Sequence, residues 1–379
     1  MRCLQLTKFY PPFNGGIETT VRDIANGLTR RGWRIEILCS HTKRRTMQEP
    51  GIIPVIRVAS LAEVASTSLA PMLVPWLARR QQRQDIIHVH LPNPMANLAL
   101  WLTRPRAKII LHWHSDIVKQ KRLLKLYKPL QSWLLKRADA IFATSATYAE
   151  SSPWLREHMH KVHIAPSCIE DPLSVTSTQE RLAAGERVRA AWPGKRIVFT
   201  LGRMTYYKGF DVLIEAARQL PEDVVVLIGG SGELLDSLRR QAQNAGLADK
   251  VQLLGRISDA DLPGYFEAAD LFCLPSLVRS EAFGLVMVEA MGYGKPVVAT
   301  AIEGSGVPWV NLDGVTGLNA MPGDPIDLAK CLCKLLDDPK LAKQFGIGGR
   351  SRFESLFTIE KMIDEIVDVY NKVGVPLCK

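Results

Sequence analysis

Residues 276–296 read SLVRSEAFGLVMVEAMGYGKP. A polar segment holding Glu281 gives way at Phe283-Gly284 to an amphipathic run, 285–291, which carries a second carboxylate, Glu289, before Gly292 and Gly294 stop it. This is a loop, a helix start, and a carboxylate on each side of it. A helix N-terminus offers unpaired N–H groups and the positive end of the dipole, which is where phosphate binds. At about 1.5 Å of rise per residue, Glu289 lies roughly 7 to 8 Å along the helix from Gly284. Two carboxylates facing one diphosphate would repel it. The pattern therefore places phosphate at Phe283, Gly284 and Leu285, with Glu281 and Glu289 gripping hydroxyl-bearing groups on either side. A sugar nucleotide has that layout.

The stretch belongs to a series of strands alternating with helices, with strands expected at 197–201, 224–228, 251–254, 271–274 and 296–299. Such alternation means a parallel sheet covered on both faces. The first of these strands runs into LGRMTYYKGFDVLIEA, so Arg203 and Lys208 stand between a strand end and a helix start. Two cations in one glycine-bounded turn suit a diphosphate. Asp259-Ala260-Asp261 spells a D-x-D, but it opens a helix, where aspartate is favoured as a cap. Two or three amphipathic helices are expected, over 325–336, 341–353 and 358–373.

The first half repeats the plan, with strands expected at 4–7, 35–39, 55–58, 86–90, 109–112, 141–144 and 162–165. Its first strand ends in KFYPPFNGGIE, and Gly15-Gly16 precede apolar residues at helical spacing, a turn that can meet an anionic group. It is not G-x-G-x-x-G, so the dinucleotide fingerprint is absent. His114, in LHWHSDIV, falls just past an apolar run, at the strand edge where such sheets place ligands; a loop histidine capping the next helix with Asp116 is the plain alternative. His88, His90 and His112 sit on strand-like segments, and no third ligand of metal-site spacing accompanies either pair, so no metal is expected. Between the halves, residues 169–195 lose the pattern and read as a linker, giving domains at 1–168 and 196–379, with the last helix expected to reach back to the first domain.

The net charge of +10 is lopsided: residues 1–170 carry +14 and residues 171–379 carry −4. The stretch 119–137, KQKRLLKLYKPLQSWLLKR, is basic without an acidic residue and interleaves leucines and aromatics. It reads either as a helix lying on an anionic membrane surface or as a surface helix that packs its leucines on the sheet, and Pro129 is expected to kink or divide it. No nucleic-acid-binding motif accompanies the charge. The seven cysteines are scattered and mostly within apolar runs, as in a reduced cytosolic protein. No secretory signal opens the chain, and its most apolar run, 69–78, is broken by Pro71 and Pro75 and too short to span a bilayer.

Taken together, Glu281 and Glu289 in an E-x7-E spacing, Arg203 and Lys208 in LGRMTYYKG, and the NGGIE turn make the chain resemble the retaining GT-B glycosyltransferases of family four, of the bacterial envelope polysaccharide and lipopolysaccharide type. The resemblance covers essentially the whole chain. It implies an α/β fold of two Rossmann-like domains facing a central cleft, the first for acceptor and the second for donor. It implies that His114 and Glu281 are the catalytic residues, that Glu281 contacts donor-sugar hydroxyls, and that Glu289 holds the ribose. Arg203 and Lys208 would neutralise the diphosphate, backbone at Phe283, Gly284 and Leu285 would bind phosphate, and Gly15 and Gly16 would approach it. Backbone near Ile257 would meet the base. No metal or other cofactor is implied. The partners expected are a UDP- or GDP-linked sugar, a lipid-linked glycan, and an anionic membrane reached through the basic half, especially 119–137, at the inner face of the cytoplasmic membrane. A soluble small acceptor is the alternative, and a non-catalytic nucleic-acid binder a remote one.

Overall fold

Strands buried at every position, such as IIHVHL at Ile86–Leu91 and VVVLIG at Val224–Gly229, need cover on both faces and so dictate helices above and below a parallel sheet. The computed structural model describes residues 1–13, 15–64, 67–117 and 121–374, with backbone alone at 121–126. It forms two units, Met1–Ser167 with Ile359–Lys379, and Cys168–Thr358.

In the first unit the strands are β1 (Arg2–Leu6), β2 (Arg34–Ser40), β3 (Met47–Glu49), β4 (Val55–Val58), β5 (Ala62–Val64), β6 (Thr67–Leu69), β7 (Ile86–Leu91), β8 (Lys108–Trp113), β9 (Ala140–Ala143) and β10 (Val162–Ile164). Eight of them make one sheet in the order β10-β9-β8-β7-β1-β2-β4-β3, parallel except for the β3 edge, and β5 and β6 pair as a separate antiparallel hairpin. The second unit holds β11 (Arg196–Leu201), β12 (Val224–Gly229), β13 (Val251–Gly255), β14 (Leu271–Leu274), β15 (Val297–Thr300) and β16 (Gly317–Ala320) in the order β13-β12-β11-β14-β15-β16, all parallel. In both sheets the order reverses beside the first strand, between β1 and β7 and between β11 and β14. Crevices open outside the carboxyl ends of strands at such reversals.

Local sequence explains the helices that matter here. Val21, Ile24, Ala25 and Leu28 of Gly16–Arg30 are buried at helical spacing on the sheet. Asp324 caps Pro325–Asp337 by accepting from the N–H groups of Ile326 and Asp327, with proline in the first turn where no N–H is needed.

Two expectations need correction, and one of two open readings gains support. Residues 169–195 are not a free linker: they hold the helices Pro172–Val175 and Thr178–Ala190 and belong to the second unit. The longer helix has no apolar stripe, which is why it reads as linker. It is held instead by close approach of small residues, Gly185 lying against the Glu267 side chain and Gly264 against the Ala184 backbone, and by ion pairs from Arg181 to Glu267 and Arg189 to Asp270. Of the two effects expected of Pro129, a kink or a division, division does not occur, since the helix Lys121–Arg137 runs through it. Nor is that helix's leucine face free. Residues 118–120 and the side chains of 121–126 lie outside the description, but Leu134 and Leu135 are buried in the first unit, leaving Lys128 and Lys136 exposed.

The last helix, Ile359–Lys372, is part of the first unit. Ile363 packs against Gly27 so closely that a Cβ there would lie 2.4 Å from it, and the buried Tyr370 ring meets Trp33 edge-on at 5.1 Å.

Candidate active site

The turn after β11 and the loop after β14 meet at the reversal point of the second sheet, where the Leu277 N–H donates to the Tyr207 carbonyl at 2.8 Å. Gly209 makes the meeting possible: it has φ +67°, and a Cβ on it would sit 2.0 Å from the Pro275 carbonyl oxygen. Lys208, just before it, is thereby aimed at Glu281. The ammonium donates to Glu281 Oε2 at 2.5 Å, Ser276 Oγ donates to the same oxygen at 3.1 Å, and all three residues are buried. Burial of Lys208 works against its charge, but the Glu281 carboxylate outweighs it and holds the ammonium above its usual range.

Past Glu281 the backbone turns at Gly284, whose φ of +79° suits only glycine, into the helix Leu285–Gly292. Gly284 supplies no side-chain cap, so the first N–H groups of this helix are left for a ligand. Phe283 contributes backbone here and uses its ring elsewhere, packing in the core against Phe357 at 6.0 Å. Leu285 is half-buried. Glu289, one turn further on, is partly buried, and burial pushes its carboxyl up to about 7, with Asp259 adding to the shift and Lys208 opposing it. Ile257 leans over the end of β12 against Gly229.

One expected member of this set stands apart. Arg203 does not join Lys208: its side chain is 75% exposed and faces Glu233 at 3.7 Å. Asp261 does stand at the N-cap position of the helix Leu262–Ala268, but its side chain caps no helix N–H: its carboxylate accepts from the Ser258 hydroxyl, whose oxygen accepts from the Asp261 N–H at 3.1 Å.

In the first unit, Gly15 and Gly16 open the first helix beside the carboxyl end of β1. The anion position there is taken by the chain's own Glu18: a Cβ on Gly15 would lie 2.2 Å from its Oε2. Burial raises the Glu18 carboxyl, with its own N–H and Lys8 opposing. The loop leading to this turn is held by Arg57, buried on β4, which donates to the carbonyls of Tyr10 and Pro11 and makes a two-pronged pair with Glu49.

His114 follows β8 and is tied back by its N–H to the Leu91 carbonyl at 3.1 Å. It does not pair with Asp116, which instead accepts from the Trp113 indole and Ser152 hydroxyl. Its ring is one of four stacked on one face of β7 and β8, with neighbouring centroids of His88, His90, His112 and His114 at 4.4 to 5.4 Å. Register explains the stack: alternate residues on a strand share a face, and His90 lies opposite His112. Burial lowers His88 and His114 to about 3 and His90 and His112 well below the ordinary range. Nitrogens of His88, His90 and His112 lie within 4.8 Å of one another, which is the spacing the sequence pattern gave no reason to expect. Their ring planes differ by only 13 to 21°, however, so the in-plane lone pairs run side by side instead of converging on one ion.

Sequence reasoning missed Ser276, Glu18, Arg57 and the stacking of the histidines. Only the last left a signal, since H-x-H on two successive strands puts four imidazoles on one face if the strands are neighbours.

Two family descriptions match the chain, glycosyl transferases group 1 over residues 186–352 and a glycosyl transferase 4-like domain over residues 15–168. O-antigen chain mannosyltransferase C of Escherichia coli is 33% identical over 378 residues, 98% of this chain and 98% of that one. D-rhamnosyltransferase WbpZ of Pseudomonas aeruginosa is 31% identical over 94% of this chain and 92% of its own. HepE of Anabaena, solved in complex with UDP, shares the fold with a TM-score of 0.79 at 22% identity, over 98% of this chain and 100% of that one.

Proposed function

This chain belongs to the GT-B glycosyltransferases of family four, of the lipopolysaccharide type, and on that premise we propose that it moves a sugar from a UDP- or GDP-linked donor to a hydroxyl of a lipid-linked glycan in envelope polysaccharide synthesis. The name of one relative, an O-antigen chain mannosyltransferase, supports the pathway. The observation that carries the reaction is the buried Lys208–Glu281–Ser276 set lying ahead of an uncapped helix start. As the bond from the sugar to phosphate breaks, negative charge grows on the departing diphosphate. Lys208 and the N–H groups at Gly284 and Leu285 are fixed in place to receive it. Glu281 and Glu289 serve the sugar and ribose hydroxyls, and Ile257 the base. The new bond forms on the face the phosphate leaves, with retention, and the attacking hydroxyl's proton passes to the departing phosphate oxygen. This assignment needs no metal.

Among the described residues no helix is long and apolar enough to cross a membrane. A peripheral placement at the cytoplasmic face is supported by exposed Trp101 and Leu102 beside exposed Arg104 and Arg106, in addition to the Lys121–Arg137 helix. The burial of Leu134 and Leu135 favours the second reading, a soluble small acceptor. Salt-sensitive co-sedimentation with anionic liposomes supports the first, and its absence the second.

The donor reading is tested by a thermal-shift panel of UDP- and GDP-sugars on native protein and on Lys208→Ala. One nucleotide class at about 100 times its Kd is expected to raise the melting temperature by about 5 to 10 °C. Lys208→Ala is expected to abolish that shift and to cut transfer by roughly 10² to 10³. No shift with any nucleotide sugar, or full transfer by the variant, sinks the reading.

A further inference from the structure

We infer that Gln5 and His90 are positioning residues that lock His114 in the Nε2–H tautomer, so that its Nδ1 lone pair is offered, at the end of β8, to a hydroxyl of the substrate. The inference rests on the glycosyltransferase reading proposed above.

The argument follows hydrogens along a buried chain. Gln5, on β1, is fully buried; its Nε2 donates to Cys3 Sγ at 3.4 Å and its Oε1 lies 2.7 Å from His90 Nε2. An amide oxygen only accepts, so the hydrogen of that contact is on His90 Nε2. A neutral imidazole carries one N–H, which leaves His90 Nδ1 as an acceptor. That nitrogen is 3.1 Å from His114 Nε2, so the hydrogen between the two rings is on His114. His114 Nδ1 then keeps its lone pair.

Exposure selects the same ring. His88, His90 and His112 are 0 to 1% exposed, whereas His114 keeps 8%, so a ligand reaches the column only at this ring. A neutral ring offering a lone pair accepts from a hydroxyl and repels a phosphate or carboxylate oxygen. The end of β8 therefore selects a hydroxyl-bearing group, and the column behind it fixes the direction of that bond without adding charge.

The test is two-bond proton–nitrogen correlation NMR on full-length protein with isotope-labelled histidines, the signals of His114 being those absent from His114→Gln. An Nε2–H pattern for His114 in the native protein, with Nδ1 at the shift of an unprotonated nitrogen, is expected. Gln5→Leu removes the acceptor and is expected to give a mixture of tautomers, while Gln5→Glu, which still accepts at that position, keeps the native pattern. With the donor identified by the panel above, Gln5→Leu should lower kcat at least tenfold while leaving affinity for the free nucleoside diphosphate unchanged. A native His114 protonated at Nδ1 overturns the inference, and so does full turnover by a Gln5→Leu variant whose tautomer is released. Neither result touches the donor reading, which Lys208→Ala tests separately.

Discussion

Glu289 carries the pH sensitivity of the second unit. Its carboxyl is raised to about 7 by burial, Asp259 adding to the shift and Lys208 opposing it, so near neutrality it is only partly ionised. A folded value above the ordinary carboxylate range means that its contribution to stability is fully present below about 4.5 and is lost as pH rises through 7. Ribose hydroxyls donate to the ionised form, so nucleotide binding should draw the proton off. We therefore expect nucleotide affinity to increase as pH rises from 6 to 8, with proton release on binding, measured by titration calorimetry in buffers of different ionisation enthalpy. A pH-independent affinity in that range would falsify the ribose role, and Glu289→Gln should flatten the profile. At this scale Glu281 and Lys208 were singled out by their motifs, but their contact across 73 positions was not, since the motif gave Lys208 a diphosphate and Arg203 for company. Glu18 and Arg57 were not, because a carboxylate folding back on its own helix start and an arginine reaching two loop carbonyls follow from loop path, which has no spacing rule.

Four neutral imidazoles stacked across β7 and β8 make that pair of strands acid-sensitive. His88 Nε2 and both ring nitrogens of His112 lack a partner among the described residues, and the groups around the column, Tyr370, Cys3, Gln5 and Phe142, offer no carboxylate to a proton. The values are depressed in the folded protein, so the stability they contribute is present above about 6.5 and is lost as pH falls toward 3. Each histidine costs up to about 1.4 kcal/mol per pH unit below that point. Thermal melts between pH 7.5 and 5 should show the first unit's transition falling more steeply than the second's, and His112→Phe should reduce the slope. Equal slopes for the two units would contradict the account. The strands themselves were legible, since continuous apolar runs bounded by turns admit little else. The short edge pieces β3, β5, β6 and β16 were not, being three or four residues long with too few positions to show a period.

Across the whole molecule the chain completes its first unit last. The helix Ile359–Lys372 buries Ile359, Met362, Ile363, Ile366, Val369 and Tyr370 there. At about 1.5 to 3 kcal/mol per large apolar side chain this amounts to roughly 10 kcal/mol, as much as a whole unit's net stability. A chain ending at Thr358 should therefore keep the second unit's melting transition and lose the first's, read by calorimetry and by proteolysis confined to 1–167. Retention of both transitions would show that the helix is dispensable. The two-unit plan was readable from the repeated strand–helix alternation, whereas the place of 169–195 was not, because Gly185 and Ala184 bind by closeness and not by hydrophobicity. The order of synthesis now acquires a meaning. A ribosome adding about 5 to 20 residues per second releases the first sheet and then takes roughly 10 to 40 seconds to make the second unit before the closing helix exists. During that interval the face that Tyr370 will cover stands open, so the segment made second is the one able to fold first, and the nascent N-terminal half is the natural client of a chaperone.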